Sequence, residues 1–236
     1  MKRFSDSFSE IGFLARIGSV SRFPVSIKVD AYIDMGTGAP PENEKTPVVK
    51  DSLDLTRQLI HAGFLPKNCY DAKNETMTAD HGRLEISRKR STFKAVTPNN
   101  EVLIMKAGTT LEGKYMFVEN KDTFATFALL PVDNYYITNA KRLTLFHLTN
   151  SLETGMRFAN DQMELLEAWG KTPFLAKHGR ADIALQISDI DRIYALDMAG
   201  KRIGELPFTR KGNSVMIAVD NFKFSEAVFA YEIVRQ

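Results

Sequence analysis

The sequence contains few cysteine and histidine residues, which limits the sites that it can build. Cys69 is the single cysteine, so the chain can form neither an intramolecular disulfide nor a cluster of thiolate ligands. The histidines His61, His81, His147 and His178 are scattered, and none forms a pair at metal-ligand spacing. We therefore predict no metal site, and nothing in the sequence indicates a cofactor.

Long apolar runs and a strong net charge are also missing. No stretch approaches the roughly 20 apolar residues of a membrane-spanning helix, and residues 1–18 lack the apolar core of a signal peptide. Lys and Arg total 31 against 29 Asp and Glu, so no strong field favours nucleic acid or an anionic membrane. We expect a soluble chain that binds neither. We interpret the basic cluster Arg88-Lys89-Arg90 as a charged hairpin turn.

From about residue 82 onward the sequence has the pattern of successive β-strands. Ala181, Ile183 and Leu185 alternate with Asp182, the period of a strand with one buried face. Turn residues separate the strands, and the segment 203–208 is predicted as a single strand. Short strands at spacings of about 8–12 residues predict a mostly β fold, an antiparallel sandwich or barrel.

One helix interrupts this pattern, near residues 51–62. Leu55, Leu59 and Ile60 share one helical face, and Gly63 suits the end of the helix. A (β/α)₈ barrel needs helices that alternate with strands throughout, so this chain cannot contain that barrel.

The predicted elements divide the chain into three parts. An N-terminal segment, residues 1–74, has too few strands for a core of its own and is expected to pack on the next module. A β-sandwich module, residues 75–178, and a small antiparallel module, residues 179–236, follow it. We therefore expect two packed β modules.

Four segments between residues 75 and 236 carry motifs in a recognisable order. They are the run Glu75–Pro98, the segment Lys141–Phe158, the turn Trp169-Gly170-Lys171-Thr172-Pro173, and the closing strands Ile193–Pro207 and Tyr231–Ile233. In this order they resemble the C-terminal accessory β domains of bacterial glycoside hydrolases and related proteins. The resemblance implies β domains that follow a catalytic barrel, with the active-site acids upstream.

Aromatic residues are the best candidates for ligand contacts, because sugars stack their C–H faces on aromatic rings. Tyr135 and Tyr136 are adjacent beside a turn signal, Asp133-Asn134. Neighbours on a strand point to opposite faces, so at least one tyrosine should be exposed or cover a loop. The alternative is that one packs inward and the other caps an edge. Trp169, the one tryptophan, suggests a buried anchor between sheets more than a ligand contact.

Carboxylates that might catalyse glycan hydrolysis are harder to find. Glu153, Asp161, Glu164 and Glu167 form the densest group, but spacing along a chain does not give the separation that glycosidases need. We interpret them as solvated surface acids. We likewise interpret the pair in 189–191 as part of a turn rather than a calcium site.

The predicted function is therefore a non-catalytic accessory β domain of glycoside-hydrolase type. It would support a catalytic domain or bind carbohydrate weakly, through Tyr135, Tyr136 and Trp169. Two alternatives stay open: a glycan-active hydrolase with an unidentified carboxylate pair, and a structural homo-oligomer whose strand edges pair.

Overall fold

A computed structural model describes residues 32–33, 48–49, 52–61, 63, 65–79, 82–160, 163 and 165–236. The chain divides into two compact units, Met1–Thr97 and Pro98–Gln236. The three-part division predicted from the sequence stays a prediction.

The described residues of the first unit form one helix, a short 3₁₀ turn and six short strands. Its elements are β1 Tyr32–Ile33, β2 Val48–Val49, α1 Ser52–His61, a 3₁₀ turn Lys67–Cys69, β3 Tyr70–Asp71, β4 Thr76–Thr78, β5 Leu84–Ser87 and β6 Thr92–Val96. The predicted helix is confirmed, and the N–H of Gly63 donates to the carbonyl of Ile60 at 3.1 Å where the helix ends.

The strands β3 to β6 pair in sequence order as antiparallel neighbours. The basic cluster Arg88-Lys89-Arg90 lies in the turn between β5 and β6, and the Ser91 N–H donates to the Arg88 carbonyl at 3.1 Å. This confirms the interpretation of the cluster as a charged hairpin turn.

The described residues of the second unit form strands and the turns between them. Its strands are β7 Glu101–Met105, β8 Thr109–Glu112, β9 Met116–Asn120, β10 Ala125–Pro131, β11 Arg142–Leu148, β12 Ser151–Thr154, β13 Arg157–Phe158, β14 Leu166–Ala168, β15 Lys171–Ala176, β16 Arg180–Leu185, β17 Ile190–Leu196, β18 Arg202–Glu205, β19 Phe208–Lys211, β20 Ser214–Asp220 and β21 Ala230–Arg235.

Two antiparallel sheets of the second unit enclose one core. Six strands lie side by side in the order β18-β17-β21-β11-β10-β7, here called sheet A, and five in the order β19-β20-β16-β9-β8, here called sheet B. The alternate residues of both sheets form one buried cluster, for example Phe127 and Leu145 from sheet A with Val118 and Ile183 from sheet B. The predicted mostly β, antiparallel fold is confirmed, and no barrel closes among the described strands.

A buried carboxylate joins the two sheets. Glu101, the first residue of β7 in sheet A, is 0% exposed. It accepts hydrogen bonds from the backbone N–H groups of Lys114, Tyr115 and Met116, at 2.7, 2.8 and 2.7 Å, where the chain enters β9 of sheet B. A Cβ atom at Gly113 would lie 2.3 Å from a Glu101 carboxylate oxygen, so a larger residue there would displace the carboxylate from these hydrogen bonds.

One predicted strand is wrong in its extent. The segment 203–208 divides into β18 in sheet A and β19 in sheet B. The break falls at Leu206-Pro207, where the Leu206 N–H still donates to Ile193 of sheet A at 2.8 Å. Pro207 has no N–H to continue that ladder, so the chain leaves sheet A there.

We expect Glu101→Gln to lower the free energy of unfolding by about 1–3 kcal/mol, because the amide NH₂ would face backbone donors. Urea unfolding followed by circular dichroism measures the change. The exposed Glu112→Gln is the matched control, with an expected change within about 0.5 kcal/mol. Equal midpoints for the two variants would show that the buried carboxylate contributes little.

Candidate functional site

The tyrosine pair lies in the loop between β10 and β11. Tyr135 is 64% exposed and Tyr136 44%. Their ring centroids are 5.0 Å apart with an interplanar angle of 83°, an edge-to-face pair. The prediction that at least one is exposed is confirmed, whereas the alternative that one packs inward is wrong. Strand alternation does not apply here, because residues 132–139 form turns rather than a strand.

Backbone and side-chain hydrogen bonds fix the shape of this loop. The Arg235 guanidinium donates to the carbonyls of Ile137, Thr138 and Ala140, at 3.0, 3.1 and 2.8 Å. Ile137 is the residue that packs inward, and its N–H donates to Pro98 at 2.9 Å. These hydrogen bonds therefore fix the backbone of the loop, and the tyrosine side chains point into solvent.

Trp169 lies at the turn between β14 and β15 and is 77% exposed. Its interpretation as a buried anchor between sheets is wrong. The strands β12 and β15 pair with each other, as do β13 and β14, and neither pair belongs to sheet A or sheet B. We call residues 151–176 the arm. Its exposed apolar side chains are those of Met163, Leu165, Trp169, Phe174 and Leu175.

Trp169 and the tyrosine pair belong to different segments of the second unit. The tyrosine loop precedes β11 and the arm follows it. The strand β11 spans Arg142–Leu148, so at about 3.3 Å per residue the two segments begin about 20 Å apart.

The structure describes two of the four candidate carboxylates. Glu153 lies on β12 opposite Phe174 of β15, and Glu167 on β14 is exposed. Asp161 and Glu164 lie outside the described residues. The described residues contain no group of three or more His, Cys, Asp or Glu side chains that could hold a metal ion. Asp189 instead pairs with Arg235 at 2.8 Å. Asp191 lies in β17, so the interpretation of the pair at 189–191 as part of a turn is wrong for Asp191.

A charged cluster that no sequence motif indicated lies where the arm leaves the sandwich. We call residues 121–123, 147–150, 177–180 and 220–222 the arm base. Here Arg180 donates to both carboxylate oxygens of Asp122, at 2.7 and 2.8 Å, and His178 Nε2 lies 2.9 Å from Asp220 Oδ1. The His178 ring stacks on Phe222, with centroids 5.0 Å apart.

Both carboxylates of the arm base titrate below their usual range. Arg180 lowers the pKa of Asp122, chiefly through its hydrogen bonds. Burial raises the pKa of Asp220, but the Phe222 N–H and His178 together outweigh burial and lower it. Both side chains are therefore charged at neutral pH.

Asn221 ties the two ends of the arm to the sandwich. It is fully buried, and its amide donates to the Thr149 hydroxyl and the Lys177 carbonyl, at 3.3 and 2.9 Å. Its oxygen accepts the Gly179 N–H at 2.9 Å, and the Lys177 N–H donates to Asn150 at 2.7 Å. The arm is thus a projection with a fixed base.

The arm base also contains a buried histidine that is uncharged at neutral pH. His147 is 0% exposed, stacks on Phe127 with ring centroids 4.8 Å apart, and neither ring nitrogen has a hydrogen-bond partner in the part of the chain that the structure describes. A Cβ atom at Gly179 would lie 2.7 Å from Thr149 Cγ2 and 3.3 Å from His147 Nε2, so any larger residue would displace the Thr149 side chain. Burial lowers the pKa of His147 to about 4, although the negative charges of Asp220 and Asp122 act to raise it.

Comparisons with known proteins identify neither a family nor a function for this chain. The chain matches no protein-family model, no curated protein and no solved structure. No helix among the described residues is long and apolar enough to cross a membrane.

We expect His147 to make the fold sensitive to acid. Its pKa is about 4 in the folded chain and 6.5 as the unperturbed value, so the unfolded state takes up a proton first as pH falls. Stability is therefore lost from about pH 6.5 down to about pH 4, by about 2–3 kcal/mol. Unfolding of the wild type and of His147→Leu across this range measures the difference.

The variant should show the smaller loss, because it has no proton to bind at this site. His61→Leu, at an exposed position, is the control and should keep the wild-type dependence. The same pH dependence in His147→Leu and in the wild type would contradict the assignment.

Proposed function

We propose that this chain is a non-catalytic accessory β domain of glycoside-hydrolase type that binds carbohydrate through Tyr135 and Tyr136. The observation that carries the proposal is the exposed, edge-to-face tyrosine pair on a loop that Arg235 braces. A platform that is already ordered loses little conformational entropy when a ligand binds.

Polar groups beside the rings support a saccharide as the ligand. Asn134, Thr138 and Asn139 flank the tyrosines, and amide and hydroxyl groups suit the hydroxyls of a sugar. Rings at 83° to each other cannot both lie flat on one planar surface. The pair therefore suits a single sugar ring or a chain end better than the flat face of a crystalline polysaccharide.

The motif order in residues 75–236 supports the accessory role, since it resembles domains that follow a catalytic barrel. The partner in this proposal is a glycoside-hydrolase catalytic domain, and the purified chain should turn over no polysaccharide. Glycosidase activity that survives purification controls would favour the alternative of a hydrolase.

Assembly through the arm is a second candidate function. Exposed Phe174 lies on β15 and exposed Trp169 in the turn before it, outside both sheets. Exposed apolar side chains beside open strand edges favour self-association. Light scattering of the wild type and Trp169→Ala tests this role, because a homo-oligomer held by the arm should dissociate in the variant.

We expect the double variant Tyr135→Ala/Tyr136→Ala to lose binding in a glycan array or affinity gel while its Tm stays within a few degrees of the wild type. Removing exposed rings deletes ligand contacts without opening a cavity. Met198→Ala, an exposed residue in the turn between β17 and β18, is the control and should keep binding.

A large drop in Tm would show that the rings are structural. Full binding by the double variant would place the ligand elsewhere, with Trp169→Ala as the next variant to measure.

A further inference from the structure

An open groove of about 450 Å³ crosses the outer face of sheet B. Its volume lies within the range of about 300–1,000 Å³ that is usual for ligand sites. Pro207, Phe208 and Met216 line one end of it, Ala218 lies between, and Asp182 and Glu119 line the other end. The groove therefore has an apolar end and an acidic end, and it is separate from the tyrosine loop.

The strand register explains the position of the groove. Ala218 of β20 pairs with Asp182 of β16, which pairs with Glu119 of β9, so the three form one row across the strands. The edge strand β19 pairs with β20 only as far as Ile217. Ala218 has no partner on β19, because the chain just before β19 is hydrogen-bonded to sheet A through Leu206. The small side chain of Ala218, next to the end of β19, leaves a depression on the face of the sheet.

The charges at the acidic end favour a cation. Asp182 forms an ion pair with Lys121. Glu119 is exposed, and its carboxylate makes no ion pair or hydrogen bond among the described residues. Of the two carboxylates that line the groove, Glu119 is therefore the one that has no counter-charge among the described residues.

We propose that this groove binds the protonated amine of an amino sugar at Glu119 and Asp182. The C–H face of the ring would lie over Met216 and Ala218, since sugar rings join an apolar face to polar edges. The preference for an amine follows from the groove, whereas the choice of a sugar rests on the proposed function.

The test compares three tetrasaccharides that differ in one substituent: β-1,4-linked glucosamine, N-acetylglucosamine and glucose. Calorimetry in slightly acidic, low-salt buffer keeps the free amine protonated and electrostatic screening weak. The glucosamine tetramer should bind at least about tenfold more tightly than the other two, and added salt should reduce that preference.

The decisive variant is Glu119→Gln/Asp182→Asn, which removes both charges and keeps the side-chain shapes. It should lose the preference for glucosamine. Asp191→Asn/Glu205→Gln is the matched control, because it makes the same charge change beside Arg192 in sheet A. This control should bind as the wild type does.

The outcomes separate this proposal from the tyrosine platform. If all three tetramers bind equally and Tyr135→Ala/Tyr136→Ala abolishes that binding, the groove proposal is wrong and the proposed function stands. If Glu119→Gln/Asp182→Asn alone removes glucosamine binding, the groove proposal is supported and the proposal of a tyrosine platform is wrong. If a lysine-rich peptide binds at these carboxylates and no tetramer binds, the sugar assignment is wrong.

Discussion

The sandwich depends on a negative charge that is held away from water. Glu101 begins a strand of sheet A, and its carboxylate accepts three backbone N–H groups where the chain turns into β9 of sheet B. An isolated carboxylate in the core would be strongly unfavourable, but charge-assisted hydrogen bonds offset its desolvation. Because those donors come from successive residues, the carboxylate also sets where β9 begins, and β9 in turn sets the register of β16 and β20. The row of side chains across sheet B follows from that register.

Much of the fold could be predicted from local patterns. Alternation identified the strand at 181–187 and its neighbours because one face of each is buried, and turn residues such as those at 198–201 marked hairpins. The short strands of the arm lack such a pattern, since no opposing sheet buries one of their faces. The strand predicted at 203–208 was wrong because its apolar residues belong to two sheets, and alternation alone does not reveal a change of sheet.

The candidate sites could be predicted only in part. The tyrosine pair was identifiable because two adjacent aromatics stand beside the turn signal Asp133-Asn134, although the strand alternation used to predict their exposure does not apply to this loop. Trp169 was misjudged, since a lone tryptophan is usually core and its exposure depends on the arm. The arm base was not predictable, because segments near residues 122, 147, 178 and 220 meet there only after the sheets form. The groove likewise depends on the length of β19 relative to β20, which no short motif encodes.

The closed base of the arm makes this part of the chain replaceable. Asn150 and Lys177 are joined by a backbone hydrogen bond of 2.7 Å, so the chain enters and leaves the arm at nearly the same point. The strands on either side, β11 and β16, belong to different sheets and are held by their own neighbours. Everything between those two residues can therefore vary in length or sequence while the sandwich keeps its pairing. The same position suits a grafted peptide or a fluorescent reporter, displayed at a fixed point on the domain.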